Sequence, residues 1–229
     1  MGIPETIALS MGAAWASGIN LYATILMLGI MQATGNIVLP QELQILQNPL
    51  VLAAAGLMYV VEFFADKVPG VDNMWDTLHT FIRIPAGALL AAGAMSDVSP
   101  AAEFAGLLLG GSLSAGTHIT KSGSRVLINT SPEPVSNWFA SLGEDIAVLA
   151  GVWTALKHPW VFLVLLVIFL VLLVWLLPRL WRAIKFVFTR LGDWLSGRKV
   201  KSVPGGGGMT PSVNMQTPSA TKREPDQDK

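Results

Sequence analysis

Residues 160–177 run eighteen in succession without one polar side chain, closed at either end by Pro159 and Pro178. No other feature of the chain narrows its fold so far. A bilayer's hydrocarbon core about 30 Å thick takes roughly 20 helical residues at about 1.5 Å each. Trp160 and Trp175 stand near the ends of the run, where amphipathic rings settle among lipid headgroups. A buried helix of a soluble domain rarely goes so long without a polar residue. Composition agrees: 52% of the 229 residues are hydrophobic and 13% are charged, against roughly 25% charged in an average soluble domain.

Five further segments join it. Residues 7–33 are apolar apart from Ser10, Ser17, Asn20, Thr24 and Gln32, and 49–64 are apolar until Glu62. Residues 81–95 carry Arg83 near their start, 101–128 turn polar halfway, and 137–156 are interrupted by Glu144 and Asp145. Linkers such as 34–48 are too short to build a soluble core between them. The expected fold is all-α, a polytopic membrane helix bundle of about six transmembrane helices over residues 1–178.

Charge sets the expected orientation. Arg179, Arg182, Lys185, Arg190, Arg198, Lys199 and Lys201 follow the last span and should stay in the cytoplasm. Six spans then put the amino terminus there too. The inner connections carry Lys67, Arg83, Lys121 and Arg125, the outer ones only Lys157. The expectation is a multi-pass protein of a bacterial inner membrane with both termini cytoplasmic. The first segment lacks a basic region ahead of it, Glu5 being its only early charge, and reads as a retained helix rather than a signal peptide. With no cysteine there is no disulfide and no thiolate metal site.

Beyond Pro178, Leu180, Ile184, Val187, Phe188, Leu191, Trp194 and Leu195 recur at helical spacing, with Arg179, Arg182, Lys185 and Arg190 mainly on the other face. Residues 179–197 therefore read as a basic amphipathic helix on anionic headgroups, or as a plain extension of the last span. Residues 198–229, rich in Gly, Pro, Ser, Thr, Gln and charge, are expected to be a disordered cytoplasmic tail.

Placing Ser17, Gly18, Ile19 and Asn20 over Ala115, Gly116, Thr117 and His118 also superposes Gly12 on Gly110, Ala14 on Ser112 and Ala16 on Ser114. Halves 5–95 and 101–177 of three helices each would insert with opposite orientation, the 3+3 inverted repeat with interrupted helices used by many transporters. Close helix packing also selects small residues, so the match has a plainer explanation.

The polar residues gather in three places. In 62–85, Glu62 and Asp66 stand one helical turn apart, and Asp72, Asp76, His79 and Arg83 follow at spacings of four, three and four, on one helical stripe. Such a stripe can ligate a cation, relay protons or hold an anion at Arg83; capping aspartates and inner-loop ion pairs use the same pattern. Glu62 lies within the hydrocarbon zone, where a carboxylate faces a partner or a watery cavity. In 112–125, two glycines and several hydroxyls surround His118, Lys121 and Arg125 and suit an unwound helix lining a cavity. In the fifth segment the adjacent Glu144 and Asp145 repel unless Arg83, Lys121 or Arg125 lies near. The substrate- or ion-binding candidates are Asn20, Glu62, Asp66, Asp76, His79, Arg83, His118, Lys121, Arg125, Glu144 and Asp145.

The strings SGINLY at 17–22, EFFADKVP at 62–69 and HTFIRIPAGA at 79–88 resemble a bacterial membrane family, domain of unknown function 4126, over most of residues 5–190. That resemblance implies a multi-span inner-membrane protein and carries no substrate, cofactor or catalytic residue. Two function classes compete. One is a small secondary transporter or permease for a small solute or ion, with a polar cavity between the halves. The other is a non-transporting scaffold that binds lipid or protein partners. A metallohydrolase on Asp72, Asp76 and His79 ranks behind both, because the chain has no HExxH motif and no nucleophile elbow. No enzyme activity, cofactor, metal or nucleic-acid partner is expected; membrane lipids are, and oligomerisation stays open.

Overall fold

A computed structural model describes residues 1–68, 70–129 and 134–195. The chain forms two units, Met1–Leu191 and Gly192–Lys229. The described residues are all-helical: α1 (Ile3–Ala33), a 3-10 segment (Gln41–Gln47), α2 (Pro49–Ala65), α3 (Val71–Met95), α4 (Pro100–Ile128), α5 (Pro134–Lys157) and α6 (Pro159–Leu195). Proline opens α2, α4, α5 and α6, where its missing N–H has no helical partner to lose. Asn48 caps α2 by accepting from the Leu50 N–H at 2.9 Å, and Ser99 caps α4 by accepting from the Ala102 N–H at 3.1 Å.

The bundle is a membrane protein turned inside out relative to a soluble one. Among its most deeply buried large side chains are Arg83, Arg125, His118, Glu62, Asn20 and Asn137. The exposed side chains include Leu57 and Phe64 on α2, Phe81 and Leu89 on α3, and Leu108 and Leu109 on α4. α6 exposes apolar groups almost all round, from Trp160 to Trp175. The expected count of about six spans is corrected: α1, α3, α5 and the Pro159–Phe186 part of α6 are long and apolar enough to cross a membrane, and the Gln41–Gln47 segment with α2, bent by 67°, makes a fifth if taken as one span. α4 fails on average apolarity, because its second half carries His118, Lys121 and Arg125.

α1, α3 and α4 form the centre, and their small residues set the approach. A Cβ added at Gly18 of α1 would meet the Ser114 carbonyl oxygen of α4 at 2.5 Å and Thr117 Cβ at 2.7 Å. One added at Gly87 of α3 would meet Ser114 Cβ at 2.5 Å, and one at Gly110 would run into Ala91. Such contacts let helix backbones pack closely where lipid supplies no hydrophobic drive between them. α6 leans on this centre through long side chains. Phe162 and Phe169 stand edge-on to Trp15, with ring centroids 6.3 and 6.1 Å away.

Two expectations change here. α1 is interrupted at Asn20, whose φ of −144° and ψ of 99° leave the helical region. α4, by contrast, is one helix through Ala115, Gly116, Thr117 and His118, so interruption does not recur in its second half. α6 continues through Pro178 without a break, because one missing N–H removes a single hydrogen bond from an otherwise intact helix. Helix is therefore present over 179–195, but joined to the preceding span; residues 196–229, including the expected disordered tail, lie outside the described residues.

Candidate functional site

The site is built around three cations, on α3 and α4, that the fold brings into contact with carboxylates at α2, α3 and α5. Arg83 is the middle residue of α3 and wholly buried. One terminal nitrogen donates to Glu62 Oε1 of α2 at 2.7 Å, and the other donates to Asp76 Oδ1, two turns back on α3, at 2.8 Å. Lys121 of α4 donates to Asp66 Oδ2 at 2.9 Å, with Glu62 Oε1 and Glu144 Oε2 at 3.5 Å and Asp76 Oδ1 at 3.8 Å. Arg125, one turn further on, donates to both oxygens of Glu144 on α5, at 2.6 and 3.1 Å, and lies 3.7 Å from Asp66. Two parallel N–H···O bonds of this kind are what a planar guanidinium provides and an ammonium does not.

The interruption of α1 feeds the same cluster. Because the helix breaks at Asn20, the Ile19 carbonyl points out of the helical ladder and accepts from Lys121 Nζ at 3.0 Å. Asn20 then caps the second half of α1, its Oδ1 accepting from the Ala23 N–H at 3.0 Å while its Nδ2 donates to Asp145 Oδ1 at 3.0 Å. A half-helix carboxyl end therefore meets a cation, the favourable sense of the helix dipole. Ser17 and Ser114, from α1 and α4, both donate to the Arg83 carbonyl, at 3.2 and 3.0 Å.

The histidines occupy the flanks. His118 Nδ1 accepts from Arg83 at 3.3 Å, and its other ring nitrogen bonds the Thr80 hydroxyl at 2.7 Å. His79 bonds Tyr22 at 3.0 Å and the Trp75 carbonyl at 2.9 Å, and stacks on the Trp75 ring at 4.1 Å. Among the described residues it makes no hydrogen bond to the carboxylates, so it stands beside the cluster rather than in it. The stripe of Asp72, Asp76 and His79 is not a ligand set either. Asp72 accepts from Asn129 at 2.8 and 3.0 Å, and among the described residues no three His, Asp or Glu side chains are placed to hold a metal ion.

Several partners escaped the sequence reading. Asn137 and Asn129 link the cluster to the start of α3, through Arg125 to the Asn137 carbonyl at 3.2 Å and Asn137 to Asn129 at 2.7 Å. Lys67, read as an inner-side loop charge, is buried and donates to the Phe63 carbonyl at 2.9 Å and to Ser141 at 3.4 Å. Burial holds its ammonium below the usual lysine range, against the pull of Asp145 and Asp66. The available signal was polarity inside an apolar segment, which Asn137 has and a loop lysine does not.

A crevice of about 330 Å³ between α4 and α5, lined by Thr117, Thr120, Ser124, Ala140 and Gly143, reaches Lys121 and Glu144. A separate cavity of about 420 Å³ at the other end of the bundle is lined by Glu5, Asn36, Asp97 and Lys157. Against known proteins, the model of a family described as a domain of unknown function (DUF4126) matches residues 7–179. No curated protein matches, and no solved structure does.

Proposed function

The chain belongs to the family of domain of unknown function DUF4126, which assigns no activity, and from the geometry of its buried network we propose that it is a small secondary transporter or permease, moving a small solute or ion in step with protonation of that network. The observation that carries this reading is the interruption of α1 at Asn20, beside a charged cluster that runs from the middle of α3 to the ends of α2 and α4 and borders an open crevice. Broken helices with their ends turned onto a polar site near the midplane are how secondary transporters build binding sites. Charge in that position is expensive, at least about 2.5 kcal/mol for a lone group at a helix centre on insertion scales. A fold that needed stability alone would do as well with apolar side chains.

A 3+3 plan receives support from the crossing of α1 and α4 at Gly18 and Ser114, though the break in α1 has no counterpart in α4. The favoured setting is a bacterial inner membrane with both termini in the cytoplasm, the side on which Arg179, Arg182 and Lys185 would meet anionic headgroups. The test uses the purified chain in liposomes holding a pH-sensitive dye. Solute- or ion-dependent proton movement is expected, and Glu62→Gln should abolish it. Vesicles as tight as protein-free ones under every imposed gradient would sink the transport reading.

The scaffold reading has its own observation. Arg83, Lys121 and Arg125 each hold two or more carboxylates, and neither the crevice nor the cavity is lined by Arg83 or Glu62. A closed, ion-paired interior of that kind supports a structural role. The same liposomes separate the two readings, since a scaffold passes nothing.

A further inference from the structure

The buried network does not balance its charge. Its carboxylates are Glu62, Asp66, Asp76, Glu144 and Asp145; its cations are Lys67, Arg83, Lys121 and Arg125. Among these nine groups the acids exceed the bases by one; Asp72, also buried, sits at the start of α3 and is met instead by the Gly70 and Asn73 N–H groups and the Asn129 amide. His118 does not make up the difference, because its Nδ1 accepts from Arg83 and so carries no proton. His79 and Tyr22 bond each other and, among the described residues, make no hydrogen bond to the five carboxylates. An uncompensated charge so deeply buried costs several kcal/mol, and a buried acid relieves it by taking a proton.

A second observation points to the same occupant. Glu62 Oε2, Asp66 Oδ1, Asp76 Oδ2 and Asp145 Oδ2 are buried and have no hydrogen-bond partner among the described residues; the other oxygen of each of the first three is held by Arg83 or Lys121, and that of Asp145 by the Asn20 amide. A buried carboxylate oxygen without a donor is costly, whereas a protonated one becomes a donor itself. Since no three acidic or histidine side chains among the described residues are placed to hold a metal ion, a proton suits the space better than a coordinated metal.

We propose that Glu62, Asp66 and Asp76 together hold one exchangeable proton around Arg83 and Lys121, as a single coupled acid. The uptake is simple: one carboxylate and one proton give one carboxylic acid, with the charge of the cluster falling to zero. Because the three groups share Lys121, the proton belongs to the set rather than to one residue. Glu144, which borders the crevice and is the least buried carboxylate bonded to the three cations, is its route to solvent. The assignment deepens the transport reading but does not need it, since a bound proton can exist in a protein that moves nothing.

The test is infrared spectroscopy of the full chain in lipid at neutral pH, reading the carbonyl band of a protonated carboxyl group and its shift in heavy water. Wild type should show the band. Glu62→Gln, Asp66→Asn and Asp76→Asn should each lose it, because one amide removes the excess charge and leaves the remaining acids ionised. Measurement in sodium, potassium and choline buffers separates the two possible cations: an unchanged band supports the proton, and a band seen only in choline overturns it in favour of an alkali ion. Absence of the band from wild type in all three buffers overturns the proposal as well, including the case of a proton on His79. A band that survives all three substitutions and is lost only in Asp145→Asn would place the proton on Asp145 and overturn the assignment; if one variant fails to fold, the other two still decide. A band without proton flux in liposomes would keep this site and discard the transporter.

Discussion

Arg83 has one terminal nitrogen on Glu62 and the other on Asp76, with none of its side chain exposed. Its replacement by Met would leave two buried carboxylates short of their main counter-charge. The expected loss is about 3–5 kcal/mol, the range for breaking one side of a buried ion pair. Arg83→Lys keeps the charge but reaches only one partner well, and should lose about 1.5–3 kcal/mol, the worth of a hydrogen bond to a charged group. Ser114→Ala removes one of two hydroxyls on the Arg83 carbonyl and should cost about 1 kcal/mol. Reversible unfolding in mixed micelles would rank the three. A Met variant as stable as Ser114→Ala would mean that the carboxylates are already neutral or find other donors. Glu62→Gln, which keeps size and loses charge, should remain folded, whereas Glu62→Leu also strands Arg83.

At the scale of elements, the break in α1 decides where Lys121 can sit. Asn20 supplies three things there: an extended backbone, a side-chain cap on the Ala23 N–H and a donor to Asp145. Asn20→Ala should therefore cost more than an ordinary cap, whose loss is about 1 kcal/mol, because Asp145 loses its partner too. Gly18→Val should be worse. Its Cβ would come within 2.5 Å of the Ser114 carbonyl oxygen, a backbone atom that cannot turn aside, so α1 and α4 must separate. Retention of wild-type stability by Gly18→Val would show the crossing to be loose. The six helices were legible because each apolar run is long, and the cluster was legible because Glu62, Arg83 and Glu144 are charges inside such runs. The break at Asn20 showed only as a polar residue among small ones. The Asn137–Asn129–Asp72 chain was not legible, since no periodicity relates residues on three helices. α4 misled in the other direction: its glycines and hydroxyls suggested unwinding, yet Ser112, Thr117, Thr120 and Ser122 bond carbonyls of the preceding turn and Gly110 serves close packing, all within an intact helix.

For the whole molecule, the open matter is how many times the chain crosses, and α4 decides it. Averaged over its length α4 is too polar for a span, but an average counts both faces, and lipid meets only one. Phe104, Leu108, Leu109 and Ile119 face outward while Ser114, His118, Lys121 and Arg125 are buried. α4 also runs beside α3 from end to end. Gly106 lies against Ala91 near one end, Ser114 bonds the Arg83 carbonyl at the middle, and Asn129 bonds Asp72 at the other. α3 is long and apolar enough to cross, so a helix that accompanies it antiparallel over this length crosses the same depth. If α2 and α4 both cross, the crossings are six rather than the five that apolarity alone gives, and Met1 and Phe186 lie on the same side. Reporter fusions after Gly35 and Asp97 should then read periplasmic, and fusions after Asn129 and Gly197 cytoplasmic. The Asn129 fusion carries the argument, because a periplasmic signal there, matching Asp97, would leave α4 outside the membrane and make the count five.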